Sequence, residues 1–230
     1  RLTGKKLRIT GKGRCNVTNI AENEEVMKNI CGSSKFLYSA LGNFSGADTV
    51  SFFESLGVPL KTERGGRVFP QSDKAADIAN ALEDYVKNCG VEILCERVTS
   101  VLAQNGGISG VKLSDGRVIN AGSVIIATGG KSYPRTGSTG DGYKFAENLG
   151  HTIVTPRGAL VPIETEEVWV SQLQGLSLKN VTLSLFCEDK KIFEDMGEML
   201  FTHFGVSGPL VLSASCHITD DNKNYRIIID

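Results

Sequence analysis

Along residues 75–89 the apolar positions Ala75, Ile78, Ala79, Leu82, Tyr85, Val86 and Cys89 recur every three or four residues. That period predicts an amphipathic helix, opened by Ser72 or Asp73 and stopped by Gly90. Weaker helical patterns fall near 22–31, 34–42, 47–56 and 140–149, the last closed by Gly150. "KLRIT" (6–10) reads as a short strand and "RGGRVFPQSD" (64–73) as a turn-rich connection. Past the long helix the pattern shortens. "VEILCE" (91–96), "VTSVLAQ" (98–104), "ISGVKLS" (108–114) and "RVINA" (117–121) read as strands. Asn105-Gly106-Gly107 and Asp115-Gly116 supply hairpin turns. "SVIIATGG" (123–130) is apolar without alternation. A strand with that pattern is buried on both faces, as in a parallel sheet. From "TPRGALVPIE" (155–164) the texture changes to prolines and isolated strands (181–187, 191–194, 198–202), with a helix only near 209–217. The expected organisation is therefore α/β over 1–155 and a β-rich unit over 156–230.

Composition narrows the class. With 230 residues, 40% hydrophobic and 22% charged, the chain reads as a soluble globular protein. A net charge of -1 argues against a polyanion binder overall. Six cations (Arg1, Lys5, Lys6, Arg8, Lys12, Arg14) nevertheless precede the first acid, Glu22. They read as a solvated basic edge or as a nucleic-acid grip. The second reading asks for interleaved aromatics as stacking platforms, and residues 1–35 contain none. Six cysteines without a C-x-x-C pair, and three histidines without ligand spacing, predict a reducing, cytoplasmic location and no metal. No apolar run is long enough to span a bilayer. A start at Arg1 and a stop inside "YRIIID", a strand pattern, lead us to expect an internal piece of a longer protein.

The glycine-rich stretches carry the candidate chemistry. A phosphate-binding G-x-x-x-x-G-K-[ST] loop is absent: Gly130-Lys131-Ser132 matches its end, but Ile125 stands where the first glycine belongs. G-x-G-x-x-G fails too, because Asn16 follows Gly11 and Gly13 at the last glycine position. Two elements remain, "ITGKGRCNVTN" (9–19) and "ATGGKSYPRTGSTGDGY" (127–143). Glycine lets backbone approach a ligand closely, and a helix start offers free N–H groups. The pair could flank one anionic ligand, with Lys12 and Arg14 meeting its charge and Asn16 and Thr18 its polar groups. A tight turn capped by Thr139 or Asp141 is the structural alternative.

Four blocks carry a resemblance: "GKKLRITGKGRCNVTN", "GRVFPQSDKAADIANAL", "VIIATGGKSYPRTGSTGDGYKFAENLGH" and "LFTHFGVSGP", in order over 4–209. The chain resembles the bacterial FAD-dependent oxidoreductases that include aminoacetone oxidases and 3-dehydro-bile-acid reductases. The resemblance implies a glutathione-reductase-like, Rossmann-like FAD domain with an inserted substrate domain, both incomplete here. The N-terminal G-x-G-x-x-G unit and the C-terminal flavin segment are the expected missing parts. It further implies that Gly11, Arg14, Cys15, Asn16, Val17 and Thr18 line FAD. Val98 would meet adenine through its backbone, and Thr128, Gly129, Gly130, Gly140, Asp141 and Gly142 would face the cofactor. The implied activity is hydride transfer between a small-molecule substrate and flavin N5, with NAD(P)H or oxygen as redox partner. A degenerate relative without catalysis, and a nucleic-acid module using residues 1–14, remain the alternatives.

Single side chains add less. Cys15 reads as packing beneath a cofactor or as a redox thiol. His203, in a glycine-rich loop, is a general acid or a structural histidine. His151 suits a helix end as a cap, and His217 a surface position. Tyr133 could close over a flavin ring or pack a turn. Nothing ties Trp169 to a site, and no residue is assigned as the catalytic base.

Overall fold

A computed structural model describes residues 3–230, which divide into two units between Ile153 and Val154. The class is α/β. In the first unit Lys5–Ile9 is a helix (α1), not the strand expected over 6–10. Two β-branched residues, Ile9 and Thr10, both at the end of the segment, are a weak strand signal. Leu7 instead covers the apolar stripe of the long helix, packing with Cys15, Ala75 and Ile78. Thr18–Asn19 (β1) is followed by helices at Asn23–Lys28 (α2), Tyr38–Asn43 (α3) and Gly46–Ser55 (α4). A capping box starts α4: Ser45 Oγ accepts from the Asp48 N–H, and the Asp48 carboxylate accepts from the Ser45 N–H.

The stretch read as a connection is a hairpin. Leu60–Glu63 (β2) pairs antiparallel with Arg67–Pro70 (β3), whose Val68, Phe69 and Pro70 are buried. Strand β1 pairs with the other edge of β3, giving a three-stranded sheet in the order β1-β3-β2. The turn at Gly66 (φ 71) lies so close that a Cβ there would stand 2.5 Å from Asn19 Oδ1. Helix α5, Ala75–Asn88, forms where the period places it.

Next come Val98–Gln104 (β4), Gly107–Leu113 (β5) and Val118–Asn120 (β6), an antiparallel meander. Its first turn has Asn105 and Gly106 both at positive φ, as a type I′ turn needs. Segments 91–96 and 123–130 depart from expectation. Neither forms a strand, and Ile125 is 92% exposed. A strand exists only against a partner backbone, and every strand pair among the described residues is antiparallel and lies elsewhere. Helix α6, Asp141–Asn148, closes this unit.

The second unit is a five-stranded antiparallel sheet. Ile163–Glu164 (β7), Ser177–Cys187 (β8), Lys190–Phe201 (β9), Gly205–Ser207 (β10) and Tyr225–Ile229 (β11) lie in the order β11-β8-β9-β10-β7. Strand β9 is continuous where two short strands were expected. Its core joins Leu183, Leu185, Met199 and Phe201 to Leu210, Val211 and Ala214 of helix α7, Pro209–Ser215. Gly208 (φ 98) makes that contact sterically feasible, since a Cβ there would lie 2.8 Å from Met199 Cα.

Candidate functional site

The first glycine stretch is a left-handed turn feeding an edge strand. Gly11, Lys12, Gly13 and Cys15 all have φ between 56 and 86°, and Arg14 alone is right-handed. Lys12 and Cys15 carry side chains in that region, a conformation that persists only where the surroundings impose it. Those surroundings are visible. Cys15 N–H donates to Thr10 O (3.0 Å) and Val17 N–H to Val68 O (2.8 Å). The Asn16 amide, oriented to suit its neighbours, donates to Thr18 O (3.0 Å) and Val68 O (3.2 Å). Thr18 pairs with Val68. The Cys15 side chain is 1% exposed, among Phe53, Val58, Ala75 and Ile78. Burial pushes its thiol pKa up, which disfavours a thiolate. Packing is thus the role its surroundings support.

Arg14 does not point freely to solvent. It forms an ion pair with Glu63, reaches Asp73 Oδ1 from Nε (2.8 Å) and Nη2 (2.7 Å), and stacks 4.2 Å above the Phe69 ring. Lys61 Nζ closes the network on Asp73 Oδ2 at 2.6 Å. Other cations of the basic run are likewise engaged by the fold. Lys6 Nζ donates to Ser132 O (2.9 Å), and Arg8 donates to Thr3 O (3.0 Å) and Asn80 Oδ1 (2.8 Å). Lys5 and Lys12 are exposed, and no ion pair forms at either among the described residues. Arg1 lies outside the described residues.

The second stretch gathers the remaining sequence-predicted residues. Arg97, the residue before Val98, grips Asp141 with two parallel contacts (Nε to Oδ2 3.1 Å, Nη2 to Oδ1 2.9 Å), tying the start of β4 to the turn that opens α6. A Cβ on Gly142 would come within 2.5 Å of Thr128 Oγ1, and Gly130 lies beside the Tyr143 hydroxyl. Gly140 (φ 81) is the N-cap, with the Lys131 stem lying over it, and Gly129 (φ 71) abuts Ser138. Val98, Thr128, Gly129, Gly130, Gly140, Asp141 and Gly142 therefore form one neighbourhood, and Gly11 and Arg14 to Thr18 form another. The Lys6–Ser132 hydrogen bond links the segments that carry them. Periodicity offered no signal for Glu63, Asp73 and Phe69, the partners of Arg14. They sit in the stretch that reads as a connection.

These residues suit an anionic group such as a phosphate. Lys12, within the left-handed turn, and Lys131, after Gly129-Gly130, are both exposed, and the Lys131 stem lies over Gly140, which opens α6. Other candidate side chains lie apart from them. His203 is exposed, its ring edge-on to Phe204 at 4.9 Å, and His217 lies against Phe193 at 5.1 Å. His151 donates its N–H to Ala146 O at the end of α6. Tyr133 is exposed with φ 52, and Trp169 packs on Phe201. Among the described residues, no cluster of three His, Cys, Asp or Glu could hold a metal, and no helix is long and apolar enough to cross a membrane.

Comparison with known proteins bears on the same residues. The chain matches the HI0933-like protein Rossmann domain over residues 1–211. It is 33% identical to the 3-dehydro-bile acid delta(4,6)-reductase of Clostridium scindens, over 99% of this chain and 55% of that protein. Ribosomal RNA dihydrouridine synthases are also similar. The Escherichia coli protein is 31% identical over 93% of this chain and 52% of its own length, and the Haemophilus influenzae protein 30% over 92% and 52%. The chain spans about half the length of these curated relatives. A match over 211 consecutive residues, containing both glycine turns, makes this chain a member of the HI0933-like Rossmann-domain family.

Proposed function

We propose that the chain is the cofactor-binding part of an FAD-dependent oxidoreductase acting on a small molecule. The observation that carries this reading is the pair of glycine segments, each with its exposed lysine, in one unit of a chain similar to a reductase. Bound flavin would supply or accept a hydride at N5. The chain's own residues would bind and orient it. The 11–18 turn and the 128–130 and 140–142 turns would present backbone to the cofactor, Val98 its main chain to the adenine, and Lys12 and Lys131 charge to the phosphates.

The relatives' names suggest a substrate class. One names a reductase of bile-acid double bonds and the other a synthase of a dihydro base, so both describe saturation of a ring carbon–carbon double bond. Such a step adds one hydride and one proton, and the electrons would come from NAD(P)H. Oxygen would be the acceptor if the reaction ran in the oxidising direction. A small-molecule substrate is favoured over RNA by the fate of the basic run, where Lys6, Arg8 and Arg14 are held internally. The exposed aromatics Phe36 and Tyr38 also lie on elements that pack beside the acidic helix α2.

The test is the visible spectrum of the purified full-length protein, then anaerobic addition of NADH or NADPH. Flavin bands that bleach support the reading. A protein that stays colourless after soaking with FAD overturns it and leaves a non-catalytic relative. Parallel turnover assays with a conjugated steroid ketone and with uridine-containing RNA decide the substrate class, and turnover of RNA alone would overturn the small-molecule assignment.

A further inference from the structure

The turn at 11–15 needs something to hold it. Four of its five residues are left-handed, and two of them, Lys12 and Cys15, are not glycine. Such residues are strained and persist only where neighbours over-determine them. The one right-handed residue is Arg14, and its side chain carries the turn's ionic contacts to the β2–β3 hairpin and to the loop between β3 and α5. Its guanidinium stacks on Phe69, pairs with Glu63 at the end of β2, and reaches Asp73 beyond the end of β3. Gly11 packs on the same ring, where a Cβ would stand 3.3 Å from Phe69 Cε1. Lys61 holds Asp73 from its far oxygen. A planar, forked cation suits two carboxylates and an aromatic face at once, which a lysine cannot match.

We infer that Arg14 is a positioning residue: it locks the 11–15 turn onto the β2–β3 hairpin, and the negative charge of the ligand is met by Lys12 instead. The inference rests on the flavin reading for the identity of the ligand, but the lock itself does not. With two carboxylates already on the guanidinium, Arg14 has little charge left for a phosphate. Lys12 is exposed, sits at the tip of the same turn, and pairs with no carboxylate among the described residues.

Cys15 supplies a reporter that needs no cofactor. Its thiol is buried, so its alkylation rate measures opening of the turn. Cys187 and Cys216, half-buried in the other unit, report opening of that unit. The experiment compares the full-length wild type with Arg14→Ala, Arg14→Lys, Lys12→Ala and the Glu63→Gln/Asp73→Asn double variant. Each is read by mass-resolved alkylation of single cysteines, and by FAD affinity from fluorescence quenching.

Arg14→Ala is expected to speed Cys15 alkylation about tenfold with Cys187 and Cys216 unchanged, and to weaken FAD similarly, as loss of a networked, ring-stacked guanidinium implies. Arg14→Lys restores part of both. The double variant also opens the turn and weakens FAD, whereas a phosphate-binding Arg14 freed of its carboxylates would bind FAD more tightly. Lys12→Ala leaves Cys15 protected and weakens FAD alone. Unchanged Cys15 protection in Arg14→Ala, or tighter FAD in the double variant, overturns the inference. If the wild type binds no FAD, the flavin reading fails while the alkylation rates still decide whether Arg14 is the lock. Should Arg14→Ala unfold, shown by loss of helical circular dichroism, the lysine and double variants carry the decision.

Discussion

Strand β8 and segment 123–130 begin from the same kind of signal and end differently. Both are rich in β-branched and aliphatic residues. In β8, Leu183 and Leu185 are fully buried, because β9 and β11 pair on either side and α7 covers one face. In 123–130, Ile125 is almost fully exposed and no strand pairs with the segment among the described residues. An apolar run states what gains from burial. Whether it becomes a strand depends on a neighbouring backbone to take its N–H and C=O groups.

The contrast is sharpest in hydrogen exchange. In this 230-residue chain, amides of β8 and β9 are expected to exchange at least about a thousandfold more slowly than those of 123–128, since paired core strands open only with the unit. Equal protection in the two regions would break the comparison. Truncation comes next. Leu185→Ala is expected to cost about 3 kcal/mol, as deletion of a buried leucine does, read as a lower urea midpoint. Ile125→Ser is expected to change the stability of its own unit by less than about 0.5 kcal/mol, because an exposed side chain loses no burial. A large loss there would mean that 123–130 is covered.

A charge-held region gives a smaller effect that depends on pH. The Lys61 hydrogen bond, and then those from Arg14, hold the Asp73 carboxyl below the usual carboxylate range. A folded-state pKa below the unfolded one adds stability that is present above the ordinary carboxylate pKa and is lost as pH falls through the folded value. The wild type should therefore lose a stabilising contribution in acid that Asp73→Asn never has, and their Tm difference should shrink as pH falls through that range. A Tm difference independent of pH would show that the network does not sense Asp73 ionisation.

Much of the molecule was legible in the chain itself. The apolar period of α5, the Asn105-Gly106 turn, and the strand pattern over 181–187 are local signals, and an element forms at each. The family was legible too, because "GRCNVTN" and "THFGVSGP" are long and unusual. The candidate site was legible as a set of residues but not as an arrangement. Arg14 reads from sequence as a phosphate contact beside two glycines. Its carboxylate partners lie 49 and 59 residues away, and no local pattern announces them. The hairpin that carries Glu63 and Phe69 has strands of only four residues, too short for alternation to stand out from a loop.

By itself, then, the sequence determined the elements whose stability is local or periodic: amphipathic helices such as α5, glycine turns, and a strand over 181–187. Tertiary structure alone decided that "KLRI" is a helix, that Arg14 is held by carboxylates, and that Cys15 is core. It also decided that an apolar run such as 123–130 is not a strand here. Periodicity reports which side of a segment avoids water, but pairing and charge neutralisation depend on what arrives from elsewhere in the chain.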